Sequence, residues 1–406
     1  MNPGRILARL RAGDAGFAAL LAARALQIGG SLAVTVLIVW RYGLPSAGLY
    51  ALASVPASLG SLAVGFGLPN ALPRSGASDG GRATLGLALS TAACVPVAAA
   101  CIAYASLVAP DATVPVACLA MAGALVGQVN VQQTLYVLHR RPLLAPVAPG
   151  VHLAGAVLAA AAPDFATFAV ALLVSRALGC VAGFVPLAYA RASRADLAEA
   201  TGAGSRFAPV DVACLLSEQV PILVLDGMLG RSEVGLYGLV RQFVAVADTP
   251  GWSYVLSRYP EMVAQPVSGT RSVARGNARL GWACGLGTLA AASAMALAVY
   301  RLPALVPLLF APLLAVPARY LNNLCDQSLR ASGHVWDCMA LALAKVALSL
   351  ALSAGLAALF GLPGAVAALA LLSVASALAY RARLLAVHPG SVPSLSALAF
   401  PRAAGR

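Results

Sequence analysis

The chain has 406 residues, of which 60% are hydrophobic and only 10% charged, with a mean hydropathy of +0.85. Soluble domains carry about 25% charged residues, so a water-soluble globular protein is excluded, and with no polar block long enough to fold alone the chain reads as one integral membrane body. The net charge of +13 is compatible with nucleic acid, anionic lipid or membrane topology, and the positions of the arginines choose among these.

A bilayer core about 30 Å thick takes about 20 apolar residues in helical form. Twelve runs fit in chain order: 17–40, 47–72, 84–108, 114–138, 143–162, 168–190, 210–229, 234–255, 280–299, 306–329, 338–360 and 362–380. Arg5, Arg9 and Arg11 precede the first run as they would a signal peptide. That run is too long for one and has no clear small-residue cleavage site, so it reads as a retained helix.

Cytoplasmic loops of membrane proteins hold the positive residues. The N-terminus and every second loop, with Arg74, Arg82, Arg140, Arg141, Arg191, Arg194, Arg206, Arg258, Arg271, Arg275, Arg279, Arg330, Arg381, Arg383, Arg402 and Arg406 besides the first three, carry 19 arginines. The alternate loops carry only Arg41, Arg231 and Arg301. Both termini are therefore expected in the cytoplasm with an even number of helices between them. The same split accounts for the net charge without a nucleic-acid partner and leaves membrane lipids as partners.

The longest internal polar stretch, 191–207, reads as a cytoplasmic linker. A repeat supports two halves around it. Gly43 and Gly230 each open the pattern Gly-x4-Gly-Leu-Tyr, giving Gly48-Leu49-Tyr50 and Gly235-Leu236-Tyr237, and the same 187-residue offset carries Pro73 onto Pro260. The expected organisation is a six-helix half over 1–190, the linker 191–207, a second six-helix half over 208–386 and a cytoplasmic tail over 387–406, with a cavity between equally oriented halves.

Ionisable side chains inside spanning helices are costly and mark a cavity or a partner. Here they are Arg24, Arg176, Arg241, Arg319 and Lys345, with Glu218, Asp226, Asp248 and Asp326. Arg319, Asn322, Asn323, Asp326 and Gln327 follow helical spacing and form one polar stripe on helix ten, which would be unstable facing lipid. Arg241 and Asp248 share a face of helix eight, Glu218 and Asp226 lie eight apart on helix seven, and Arg24 pairs with Gln27 on helix one.

Guanidinium groups match phosphate oxygens. Arg24, Gln27, Arg176, Arg241, Arg319, Asn322 and Asn323 are accordingly the candidate contacts for an anionic substrate, and Glu218, Asp226 and Asp248 the candidates for charge balance or for a coupling proton or cation. Interhelical ion pairs that only fix packing are the competing reading for each residue. The eight cysteines are scattered without a Cys-x-x-Cys pair and the four histidines stand apart, so neither a metal nor a cofactor is expected. No Gly-x-Ser-x-Gly elbow, P-loop or His-Glu-x-x-His occurs, and transport is favoured over catalysis.

The segment Tyr42 to Arg74, with its Gly-x4-Gly-Leu-Tyr opening and Gly67-Leu68-Pro69 helix end, resembles the multidrug/oligosaccharidyl-lipid/polysaccharide (MOP) exporter superfamily on its Wzx-type flippase branch. Leu225 to Gly230 running into Val234-Gly235-Leu236-Tyr237 resembles the second copy, and Leu329 to Gly333 and Gly361 to Ala365 resemble the family's later turns. The resemblance implies an all-α, MATE-like membrane fold of about twelve helices in two six-helix halves around a central cavity. It also implies a flippase of the bacterial inner membrane that moves polyprenyl-diphosphate-linked oligosaccharide by alternating access for surface polysaccharide synthesis, with a polysaccharide polymerase and a chain-length regulator as partners. Arg24, Arg241 and Arg319 would hold the diphosphate, and Asp226 matches the family's acidic position on helix seven. Competing readings are a cation-coupled drug or metabolite antiporter, which five intramembrane cations against four anions disfavour, a peptidoglycan-precursor flippase, and a membrane-embedded glycan-assembly transferase.

Overall fold

The computed structural model describes residues 3–72 and 76–392. Pro73, Arg74 and the tail from residue 393, with Arg402 and Arg406, lie outside the described residues, and the side chains of Arg5, Arg9, Arg11 and Arg206 are likewise not described. Among the described residues the chain is all helix and turn. Two compact units divide it, Met1–Val212 and Ala213–Arg406.

The first unit contains α1 (Pro3–Gly65), α2 (Leu68–Ala71), α3 (Asp79–Val108), α4 (Thr113–Ala124), α5 (Val126–Leu138), α6 (Val147–Ala159) and α7 (Phe165–Phe184). The unit boundary falls within α8 (Arg194–Met228), and the second unit continues with α9 (Arg231–Ser257), α10 (Tyr259–Ala264), α11 (Pro266–Ala298), α12 (Leu305–Leu314), α13 (Val316–Ala331) and α14 (Val335–Val387). The apolar runs fall on these helices, although the fifth extends past both ends of α6 and the sixth leaves α7 at Phe184. Residues 194–207 of the polar stretch are helical and begin α8. Ser193 starts that helix: its Oγ accepts from Asp196 N at 3.1 Å while Asp196 Oδ2 accepts from Ser193 N at 2.9 Å, a reciprocal cap on two otherwise unpaired donors.

Three kinds of break shape these helices. α1 and α14 each join two spans through one glycine, Gly43 (φ 80°, ψ 177°) and Gly361 (φ 61°, ψ −142°), backbone conformations open to a residue without Cβ. The fourth run divides at Leu125 into α4 and α5, and the tenth at Ala315 into α12 and α13. Among the described residues eight helices are long and apolar enough to cross a membrane, and Ala22–Gly65 and Val335–Val387, at 44 and 53 residues, are each long enough for two spans. The two remaining runs lie on α8 and α9, whose polar side chains build the site described next.

Packing in each unit relies on close backbone approach. A Cβ on Gly127 would overlap the carbonyl oxygen of Ser61, so α5 lies directly against α1. Leu68, Leu72, Val131, Leu135 and Tyr136 form the apolar core there, and the Tyr136 hydroxyl donates to Gly183 O. In the second unit Tyr320 is fully buried between Gly251 of α9 and Gly281 of α11. Its hydroxyl donates to Ala247 O at 2.7 Å, and Asn277 Nδ2 donates to Tyr320 O at 2.7 Å. These bonds fix the rotation of α13 and thereby aim its polar stripe.

Candidate functional site

With Tyr320 locked on one side of α13, Arg319, Asn322 and Asn323 project on the other into a cavity of about 60 Å³. Ser217 and Glu218 of α8, Arg241 of α9, and Lys345, Ser373 and Ser376 of α14 complete its polar wall. One water needs about 10–15 Å³ of such space, so the cavity admits several waters or a small polar group.

The charges are arranged around Arg319. Its Nη2 lies 2.8 Å from Glu218 Oε1 and 3.4 Å from Asp248 Oδ2. Asn323 Nδ2 donates to the other oxygen of Asp248 at 3.0 Å, Arg241 Nη1 donates to Gln219 Oε1 at 3.3 Å, and Lys345 Nζ stands 4.0 Å from Glu218 Oε1. Three cations thus face two carboxylates. Arg319 Nε and Asn322 Oδ1 are buried without a protein partner, which leaves one donor and one acceptor for a bound group.

The stripe predicted on helix ten is present but serves two ends. Arg319, Asn322 and Asn323 line the cavity, whereas Asp326 turns to Arg330, whose Nε is 2.9 Å from Asp326 Oδ2 in a second, separate ion pair. Glu218 and Asp248 join Arg319, but Asp226 does not line the cavity; its charged neighbour is Arg231, across the turn between α8 and α9. Lys345, which the sequence analysis counted among the intramembrane cations without giving it a substrate contact, lines the cavity, as do Ser373 and Ser376, which it did not select. The spacing of Ser373 and Ser376, three apart on an otherwise apolar helix, was the available signal.

Arg24, Gln27 and Arg176 belong to the first unit. Arg24 and Gln27 lie on one face of α1, which Ser31 continues one turn on; Arg24 makes no ion pair among the described residues, and Gln27 Oε1 is buried without a partner. Arg176 of α7 is 7% exposed, and its Nε and Nη1 have no acceptor. Its charged-type neighbours are Tyr50, Cys180 and His152, and His152 Nδ1 lies 3.0 Å from Ser175 Oγ.

No protein-family model and no curated protein matches the sequence. Solved structures do match nearly the whole chain. The lipid II flippase MurJ in an inward closed conformation aligns with a TM-score of 0.67 at 10% identity, over 91% of this chain and 87% of that one. The MATE multidrug transporter DinF-BH aligns at 0.66 and 14% identity, over 94% and 96%. An inward-facing multidrug resistance MATE family transporter of the MOP superfamily aligns at 0.59 and 13%, over 91% and 95%. The fold is that of the MATE transporters and MurJ. With its membrane-length helices the chain is thus a multi-pass membrane protein, helical among the described residues, and the neighbours it resembles are transporters and a flippase.

Proposed function

We propose that this protein is a flippase that carries polyprenyl-diphosphate-linked oligosaccharide across a bacterial inner membrane by alternating access, serving surface polysaccharide synthesis. The observation that carries the reading is the excess of positive charge at membrane depth. The second unit's cavity sets Arg241, Arg319 and Lys345 against Glu218 and Asp248, and in the first unit Arg24 and Arg176 pair with no carboxylate among the described residues. Such an interior favours an anionic head group, and guanidinium groups suit its phosphate oxygens. Arg24, Gln27, Arg176, Arg241, Arg319, Asn322 and Asn323 take the substrate in this reading, while Glu218, Asp226 and Asp248 balance charge. The likeness to MurJ, a lipid II flippase, supports the substrate class. Both termini lie in the cytoplasm, and a polysaccharide polymerase and chain-length regulator act next on the product.

The competing reading is a cation-coupled antiporter, which the carboxylates beside Arg319 and the likeness to MATE multidrug transporters favour. The amount and sidedness of lipid-linked oligosaccharide, measured in cells with and without the gene, separates the two. Accumulation of a cytoplasm-facing intermediate with loss of surface glycan, reproduced by Arg24→Ala, Arg241→Ala, Arg319→Ala together, is the expected result. An unchanged lipid-linked pool with altered drug or cation sensitivity transfers the assignment to the antiporter.

A further inference from the structure

A second hollow of the second unit, a groove of about 260 Å³, takes no part in the Arg319 cavity. Ala278 and Trp282 of α11, Leu321 and Leu324 of α13, and Val374 and Leu378 of α14 form its apolar walls. By helical spacing Leu321 and Leu324 stand on the side of α13 opposite Arg319, and Val374 and Leu378 on the side of α14 opposite Ser376. Val374 and Leu378 are 44% and 46% exposed, so the groove is open at the protein surface. From Ala274 to Trp282 it runs about 12 Å along α11, and all three helices are of membrane-crossing length and composition. An opening of this kind faces hydrocarbon rather than water.

Two polar features belong to this apolar groove. Asn277 of α11 borders it and is 1% exposed. Its Nδ2 must face Tyr320 O, an acceptor 2.7 Å away, which turns Oδ1 the other way. Among the described residues that oxygen is buried without a donor, an unfavourable state that a hydroxyl or amine from a ligand relieves. The second feature is a cationic rim. Arg271, Arg275 and Arg279 are exposed on one stripe of α11, and Ala278 and Trp282 follow Arg275 by three and seven residues, so the stripe runs into the groove wall. Arg381 stands three residues past Leu378 on the groove side of α14. α11 has no acid from Pro266 to Ala298, and residues 362–387 of α14 have none either. The only acid of α13, Asp326, lies seven residues from Arg319 on that same side and pairs with Arg330 at 2.9 Å.

We propose that the groove is a site for one anionic glycerophospholipid with a hydroxyl-bearing head group, of which phosphatidylglycerol is the simplest: an acyl chain lies along Trp282 between α11, α13 and α14, the phosphate meets Arg275 and Arg279, and a head-group hydroxyl donates to Asn277 Oδ1. Cations at the rim and an apolar wall beyond them match the order of groups in a lipid of one leaflet. Phosphatidylglycerol supplies the negative phosphate, the donor and the chain. Phosphatidylcholine has a compensating positive charge and no head-group hydroxyl. A lipid held here braces α11 against two helices whose other sides line the Arg319 cavity. The site does not depend on what the protein transports.

The full chain, purified in detergent and stripped of lipid, is titrated with dioleoyl-phosphatidylglycerol or dioleoyl-phosphatidylcholine. Native mass spectrometry counts the lipid bound, and thermal unfolding reads the stabilisation. The wild type is expected to hold one phosphatidylglycerol tightly and to melt at a higher temperature with it than with phosphatidylcholine. Ala278→Phe fills the groove, so it should lose both the bound lipid and the shift without melting lower when lipid-free. Should that variant not fold, Ala278→Leu provides the same comparison. Arg275→Gln with Arg279→Gln should weaken phosphatidylglycerol about thirtyfold, the effect of two basic residues at an anionic head group, and leave phosphatidylcholine unchanged. Equal binding of both lipids that Ala278→Phe does not alter means an unspecific lipid annulus and overturns the proposal. Displacement of the bound phosphatidylglycerol by farnesyl diphosphate, with loss of farnesyl diphosphate binding in Ala278→Phe, gives the groove to an isoprenoid chain and overturns it as well.

Discussion

The ion network around Arg319 makes a quantitative claim about stability. At an effective dielectric constant of 20, a pair of unit charges 2.8 Å apart attracts by about 6 kcal/mol and one at 3.4 Å by about 5. Desolvation and the nearby positive charges of Arg241 and Lys345 offset much of this. Close charge pairs couple by about 1.5–7 kcal/mol in measured cycles, and removing one partner of a buried pair costs about 3–5. Arg319→Met should therefore destabilise the protein by about 3–5 kcal/mol, because Glu218 and Asp248 are left facing each other. Glu218→Gln with Asp248→Asn relieves that repulsion, so the triple variant should recover about 2–4 kcal/mol relative to additivity. Unfolding in detergent, by heat or denaturant, of the wild type, Arg319→Met, the carboxamide pair and the triple variant closes this cycle. Losses that add within about 0.5 kcal/mol would refute the argument, since they would mean that Arg319 and the carboxylates act independently.

Gly127→Ala drives a methyl group into the Ser61 carbonyl and should cost at least about 1–3 kcal/mol. Gly202→Ala, on the exposed start of α8 with nothing within 4 Å, should stabilise by about 0.5–1 kcal/mol, and paired melting curves show whether the signs are opposite. Gly43→Ala forces a Cβ into a backbone region reserved for glycine and should cost about 1–3 kcal/mol, visible as a lowered unfolding temperature in purified protein. Hydrogen bonds from the Ser193 backbone N–H and hydroxyl hold the Asp196 carboxyl below its ordinary value. A depressed folded-state pKa stabilises above the unfolded value of about 3.9 and ceases to do so as pH falls through the lower folded value. Protection of α8's first turns from hydrogen exchange should therefore be level at neutral pH and drop in that acid range, and Asp196→Asn should abolish the dependence.

The helices were legible because the bilayer demands one simple pattern, about 20 apolar residues without interruption. Their joints were less so. Gly43 and Gly361 bend helices that otherwise run on, and the breaks at Leu125 and Ala315 divide runs that each turn more polar beyond the break while staying long enough to read as one span. Helical spacing likewise found the stripe from Arg319 to Asn323, since periodicity reports which residues share a face. It does not report which helix comes opposite. Lys345 reaches Glu218 from α14 through tertiary packing alone, and Asp226 stays away from the cavity because eight residues carry it about 12 Å along α8 from Glu218.

The distribution of charge between the units was open to a sequence argument, yet a single count hides it. Taken over the whole chain, five intramembrane cations face four anions and the imbalance looks slight. Divided at residue 212, all four of those acids, Glu218, Asp226, Asp248 and Asp326, fall in the second unit, and Arg24 and Arg176 fall in the first. The repeat that relates Tyr50 to Tyr237 replaces Glu218 and Asp248 by Ser31 and Ser61. Among the described residues, the second unit thus satisfies Arg319 internally through Glu218 and Asp248, whereas in the first unit Arg176 Nε and Nη1 are buried without an acceptor.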